Sequence, residues 1–190
     1  AGIYLTNNNQ NVVINADNVN FENNGYNRGY GIWTGASAVD SIITINGNAN
    51  FSDDAAAKEA YAIRHDHGTT VINGNTKITM VGAGGSGIRA INGAVQFNGD
   101  TVIDLKGDVA YIDRNVPAFG IWNGATPYGV TPITGAHIKL TGNTTITTTG
   151  AGSMAVVTEL AGGTTEFFGD TKITTGGDVG KWGRGSGTDI

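Results

Sequence analysis

One phrase, written repeatedly, limits what this 190-residue chain can become. It reads apolar, any residue, Gly, Asn or Asp, Thr or Ala, any residue, then Ile or Phe. Copies begin at Ile45, Ile72, Phe97, Leu140 and Phe167, and the second apolar residue follows six positions later at Phe51, Ile78, Ile103, Ile146 and Ile173. A looser copy over 14–21 carries one extra residue and has Ala16 in place of the Gly. A second phrase precedes each copy: GIYL (2–5), GIWT (31–34), AIRH (62–65), GIRA (87–90), GIWN (120–123) and AVVT (155–158). Each unit of roughly 25–35 residues therefore holds three short apolar runs joined by turns, with no helical pattern of 10–12 residues.

Units of this length with three short strands each predict an all-β, right-handed parallel β-helix of about six three-stranded coils. In such a stack each strand pairs with its equivalent one coil later, at a rise of about 4.8 Å. The repeated apolar residues then fill the core, and Gly, with the Asn or Asp after it, bends the chain between sheets. Stacking also predicts side-chain ladders. One runs through Asn15, Asn46, Asn73 and Asn98, and a second through Asn48, Asn75, Asp100, Asn143 and Asp170. Thr76, Thr101, Thr144 and Thr171 form a third, with Ala49 in line.

Composition narrows the setting. With 31 Gly, 3 Pro and 39% hydrophobic residues, the chain is turn-rich yet able to bury a core. The net charge of −5 without a Lys/Arg cluster argues against nucleic acid as a partner. There is no cysteine for disulfides or thiolate-held metals, and no apolar run of the roughly 20 residues that a membrane-spanning helix needs. The sequence opens and closes inside the repeat, without a leader pattern, and residues 1–190 are expected to be one β-helix segment of a longer rod.

The GI-(Trp/Tyr/Arg) strand followed by Gly-(Asn/Asp)-Thr-x-Ile, in a Gly/Thr/Asn-rich chain without Cys, resembles the passenger region of bacterial type V autotransporters. That resemblance spans about residues 2–175. It implies an extracellular or cell-surface location and a non-catalytic role as an adhesive or stalk segment. The implied partners are surface glycans, proteins or other copies of the chain, with no cofactor.

Departures from the repeat are where a specific function is expected. The spacing between anchors is 27, 25, 43 and 27 residues, and the long step places insertions at about 107–119 and 123–135, the latter holding Tyr128. Inserted loops on one face of a solenoid often bind partners, although lengthening a surface loop costs little. The residue after each Gly-Ile pair gives the column Tyr4, Trp33, Arg64, Arg89, Trp122 and Val157. With Ile32, Ile63, Ile88 and Ile121 in the core, this column is expected to face outward beside a smooth strip of Gly2, Gly31, Ala62, Gly87, Gly120 and Ala155. Trp33, Arg64, Arg89, Trp122 and Tyr128 are thus the candidate partner-binding residues. A bare cation–π ladder capping the sheet is the plainer alternative.

His65 and His67, in RHDHG (64–68), are candidate metal ligands, but their spacing supplies no third ligand. A polysaccharide lyase or hydrolase on the same scaffold is the alternative function. It would need clustered carboxylates, whereas the acidic residues here are scattered. A filament subunit stacking through open strand edges is a further alternative.

Overall fold

The computed structural model describes residues 1–108, 110–111, 115–116, 118–124 and 133–177. Among them every regular element is a β-strand. Two sheets hold nearly all of these strands, and every pairing within the two is parallel.

The first sheet contains six strands in chain order: Ile3–Leu5, Tyr30–Thr34, Tyr61–His65, Ser86–Ala90, Phe119–Asn123 and Met154–Thr158. These are the second phrase of each copy. The second sheet is built from the repeated phrase. Asn11–Asn23 and Ile42–Asp53 run through it as long strands, and each later copy is divided at its Gly into two shorter strands. The first half of Ile42–Asp53 pairs with Thr69–Ile72 and its second half with Thr76–Met80. Asn92–Phe97 and Thr101–Leu105 continue the two halves, followed by Gly135–Leu140 and Thr144–Thr148.

The register joins the residues that the repeat aligns. Ile45 lies opposite Ile72, Ile72 opposite Phe97, Phe97 opposite Leu140 and Leu140 opposite Phe167. The extra residue of the first copy becomes a bulge between Asn15 and Asn18, so that Ala16 and Asp17 together face Gly47. The 43-residue step leaves register intact. The added residues fall between successive strands of the two sheets: 13 lie between Leu105 and Phe119, among them the antiparallel pair Ala110–Tyr111 and Asn115–Val116, where 5 separate Met80 from Ser86. Likewise 11 residues lie between Asn123 and Gly135 where 1 separates Ala90 from Asn92.

The core sits between the two sheets. Ile32, Ile63, Ile88 and Ile121 of the first sheet meet Ile45, Ile72, Phe97, Ile103 and Ile146 of the second, all fully buried. At the far copy this filling thins, and Ile173 is 47% exposed.

Both predicted Asn ladders form, by different bonds. In the first, the Asn46 amide donates to Asn15 Oδ1 at 2.7 Å, and Asn73 to Asn46 and Asn98 to Asn73 at 2.6 Å each. In the second, the backbone N–H of Asn75, Asp100, Asn143 and Asp170 donates to the side-chain oxygen of the preceding copy, at 2.9–3.1 Å. Only an acceptor is needed at that position, which explains why Asp alternates with Asn there.

The glycine between the halves serves a different purpose from the one expected. Neither Gly74, Gly99, Gly142 and Gly169 nor the Asn or Asp after each has a positive φ. What demands Gly is the approach of neighbouring backbones: a Cβ on Gly99, Gly142 or Gly169 would lie 2.5 Å from the carbonyl oxygen of the preceding copy's glycine.

The threonine column is also different. Thr76, Thr101 and Thr144 point inward and are 1–2% exposed, and their hydroxyl oxygens are buried without a hydrogen bond to the protein. Thr101→Val keeps the shape and removes an unsatisfied hydroxyl, so it is expected to raise stability by about 1 kcal/mol in urea unfolding. Destabilisation would mean that the hydroxyl has a partner in solution.

Candidate functional site

Parallel, in-register strands set equivalent side chains about 4.8 Å apart, close enough for planar groups to stack. On the outer side of the first sheet the register runs Tyr4, Trp33, Arg64, Arg89, Trp122, Val157. The Tyr4 and Trp33 rings stack at 4.1 Å and 16°, and the Arg64 guanidinium lies 4.7 Å over the opposite neighbour, Trp33. Arg89 lies 5.1 Å over Trp122. A flanking aromatic set, absent from the sequence reading, supports them. Tyr30 packs on Trp33 at 5.0 Å and on Tyr61 at 5.7 Å, and Phe119 stacks on Trp122 at 4.6 Å. These three residues stand three positions before the column residue of their own copy, a spacing that the sequence displays.

The centre of the arrangement is Asp66, which was only one of the scattered acids in the sequence. It follows the strand Tyr61–His65 and is 2% exposed. Trp33 Nε1 donates to Asp66 Oδ2 at 3.0 Å, and Arg64 Nε reaches both carboxylate oxygens at 3.2 Å. Arg64 Nη2 is 3.1 Å from Oδ2, and Arg89 Nη1 is 3.7 Å from Oδ1. Arg64 Nη1 also donates to the Tyr30 hydroxyl at 3.2 Å. The second tryptophan repeats the device, with Trp122 Nε1 donating to Glu159 at 3.1 Å. In both cases the acid stands two residues after the column residue that pairs with the tryptophan.

Electrostatics follow from this geometry. Burial pulls the Arg64 pKa down, but Asp66 and Tyr30 outweigh it and the net shift is upward. Arg89, almost wholly buried, has a lowered pKa because desolvation outweighs the more distant carboxylate.

The column is outward of the core yet only partly open to solvent. Tyr4 is 47% exposed and the Arg64 side chain 22%, whereas Arg89 and Trp122 are 4% and 7%. Trp33 has one face on Tyr4 and the other toward Arg64, so it presents an edge to solvent and no free ring face. The predicted cation–π ladder is therefore present, and Trp33 has no ring face left for a partner.

The smooth strip does not lie outside. Ala62 and Ala155 are buried, and a Cβ on Gly2, Gly31 or Gly120 would come within 3 Å of Phe21, Phe51 or Ile146. In the Gly87–Ile88 and Gly120–Ile121 pairs both residues are buried, and at Gly2, Gly31 and Gly120 the residue must be small because a large apolar side chain of the second sheet fills that space. Tyr128 lies outside the described residues.

Each of the two histidines is bonded within the protein. His65 is fully buried; its Nε2 donates to the Gly68 carbonyl at 3.0 Å, and its Nδ1 accepts within hydroxyl reach of Thr34 at 2.9 Å and Thr70 at 3.3 Å. Both ring nitrogens are thus engaged. The chain leaves the strand after His65, which separates His67 from it, and His67 Nε2 accepts from the Asn92 amide at 2.9 Å. Among the described residues no three His, Cys, Asp or Glu side chains gather to hold a metal.

No family model, curated protein or solved structure matches the chain.

Proposed function

We propose that the chain is a right-handed parallel β-helix of about six three-stranded coils. We propose further that it serves as an extracellular adhesive or stalk segment of the autotransporter-passenger kind. The observation that carries this reading is the continuity of the ladders. Each copy of the repeat is tied to the next by parallel strand pairing, by amide or Asx side chains and, on the outer face, by the aromatic and arginine column. Such a stack is a stiff spacer, and it displays the Tyr4, Trp33 and Arg64 edges outward. Contacts to a cell-surface glycan or protein, or to another copy, fall on those edges. Arg89 and Trp122 hold the column in place from beneath.

Bacteria displaying the chain test the adhesive part. They are expected to aggregate or attach to host glycans and matrix proteins, and the Tyr4→Ala, Trp33→Ala pair is expected to reduce attachment about tenfold with the β-sheet circular dichroism unchanged. Attachment no greater than that of bare cells overturns the adhesive reading, and attachment unaffected by the pair overturns the assignment to this face.

A further inference from the structure

An Asn followed by Gly is the pair most open to self-reaction of an amide side chain. The Gly nitrogen carries no side chain beside it to block the Asn Cγ, and Gly permits the backbone angles that bring the two atoms together. The chain contains six such pairs, beginning at Asn24, Asn46, Asn73, Asn92, Asn98 and Asn123. The structure sets one of them apart from the other five.

Those five have their amides held. Asn46 donates to Asn15 and accepts from Asn73, and Asn73 in turn accepts from Asn98. The Asn98 oxygen accepts from Gln96 at 2.7 Å. Asn92 and Asn123 are buried at 1% and 0% exposure. Asn92 accepts from Thr134 and bonds to His67, while Asn123 bonds to both the N–H and the C=O of Ala136. The nucleophile is engaged as well in two of the pairs, where the N–H of Gly74 donates to Gly47 and that of Gly124 to Ala90. Exposure alone does not make the distinction, since Asn46, Asn73 and Asn98 are exposed like Asn24. What differs is the ladder.

Asn24 and Gly25 stand outside every strand, in the loop that joins Asn11–Asn23 to Tyr30–Thr34. Both are exposed, and neither the Asn24 amide nor the Gly25 N–H takes part in a hydrogen bond among the described residues. Gly25 has a φ of +75°, and the nearest atoms to the place of a Cβ there are 4.0 Å away, so the space around it is open. No bond has to break before the side chain and the Gly25 nitrogen can meet.

We propose that Asn24 is a site of spontaneous conversion to aspartate and isoaspartate, and that the ladders protect the equivalent pairs of the repeat. The Gly25 nitrogen gives its proton to solvent base and bonds to Asn24 Cγ, closing a succinimide ring as the amide nitrogen leaves as ammonia. Water then opens the ring at either carbonyl. One opening leaves an aspartate, and the other leaves an isoaspartate whose main chain is longer by one methylene. Either product adds one negative charge to a loop that leads into Tyr30, the residue packed on Trp33. The strand pairing of both sheets is untouched. The site is independent of the adhesive reading, because the reaction needs only the chain and water.

The test is incubation of the full chain at mildly alkaline pH, in buffer and in urea beyond the unfolding transition, with each Asn-Gly pair followed by tandem mass spectrometry. In urea all six pairs are expected to convert at rates within about threefold of one another, as local sequence alone then sets the rate. In buffer Asn24 is expected to keep about its unfolded rate, while Asn73 and Asn98 slow at least tenfold because they react only on local opening. Asn24→Gln, at an exposed loop position, is expected to remove the early acidic species seen on ion exchange. The proposal is overturned if Asn24 in buffer is as slow as Asn73 and Asn98, if those two convert as fast as Asn24, or if the acidic species persists in Asn24→Gln.

Discussion

Asp66→Ala is expected to lower the unfolding free energy by about 3–5 kcal/mol, the range for removing one member of a buried ion pair. Asp66 is 2% exposed, and it is the carboxylate beside both Arg64 and Arg89. Without it, Arg89 keeps its charge at 4% exposure, and Trp33 Nε1 loses its acceptor. Total stability of a domain is typically about 5–15 kcal/mol, so the variant should be partly unfolded at moderate temperature. Urea unfolding followed by tryptophan fluorescence reads the loss. Asp66→Asn, which keeps shape and a hydrogen-bond acceptor, is expected to fall between wild type and Ala. Adding Arg89→Met to Asp66→Ala should recover part of the loss, because it removes a buried cation that has lost the Asp66 carboxylate. A loss under about 1 kcal/mol for Asp66→Ala would show that the column stands on stacking alone and that Asp66 is incidental to it.

The consequence for function is that the Trp/Arg column is primarily self-contained. Stacked, in-register side chains use their flat faces on one another, leaving edges for a partner. This is a general property of ladders on parallel strands. Any contact made by this sheet is therefore expected at the column's exposed end, around Tyr4 and Trp33, and not at Arg89 or Trp122.

What the sequence revealed follows from where the physics is periodic. The registers of Ile45 with Ile72 and of Ile103 with Ile146 were legible because each apolar residue recurs at a fixed place in its copy. The bulge at Asn15–Asn18 was legible as one extra residue. Alternation misled where the strands end. At Gly31 and Ile32 two consecutive residues face inward, so the small column is set against Phe51 instead of on the surface. Past His65 the chain has left the strand, and periodicity says nothing about where Asp66 points. The glycines were expected to turn the chain between sheets, whereas both halves of the phrase lie in one sheet and the Gly is required by the neighbouring backbones. A single copy shows that a Gly is present, and only the stack shows that the preceding copy's carbonyl lies where a Cβ would be.

Acidification is expected to destabilise the chain through His65. Burial, the largest influence on this residue, holds its pKa down at about 4, against an ordinary value of 6.5. Between those values the unfolded chain binds a proton that the folded chain does not. The stabilisation due to neutral His65 is therefore complete above about pH 6.5 and is lost as pH falls toward 4, by about 3 kcal/mol in all. Asp53 acts with the opposite sign: burial raises its pKa, so its contribution is greatest at low pH and is lost as pH rises through the raised value. Comparison with a variant isolates the histidine. His65→Leu strands the Gly68 carbonyl and the Thr34 hydroxyl, so at pH 7 it should be less stable than wild type by about 1–3 kcal/mol. That gap should shrink steadily as pH falls from 6.5 to about 4, since the leucine variant lacks the titrating group. Urea unfolding at a series of pH values measures both curves. Parallel curves would mean that His65 takes up its proton in the folded state as readily as in the unfolded one, and that its three core contacts can accommodate the charge.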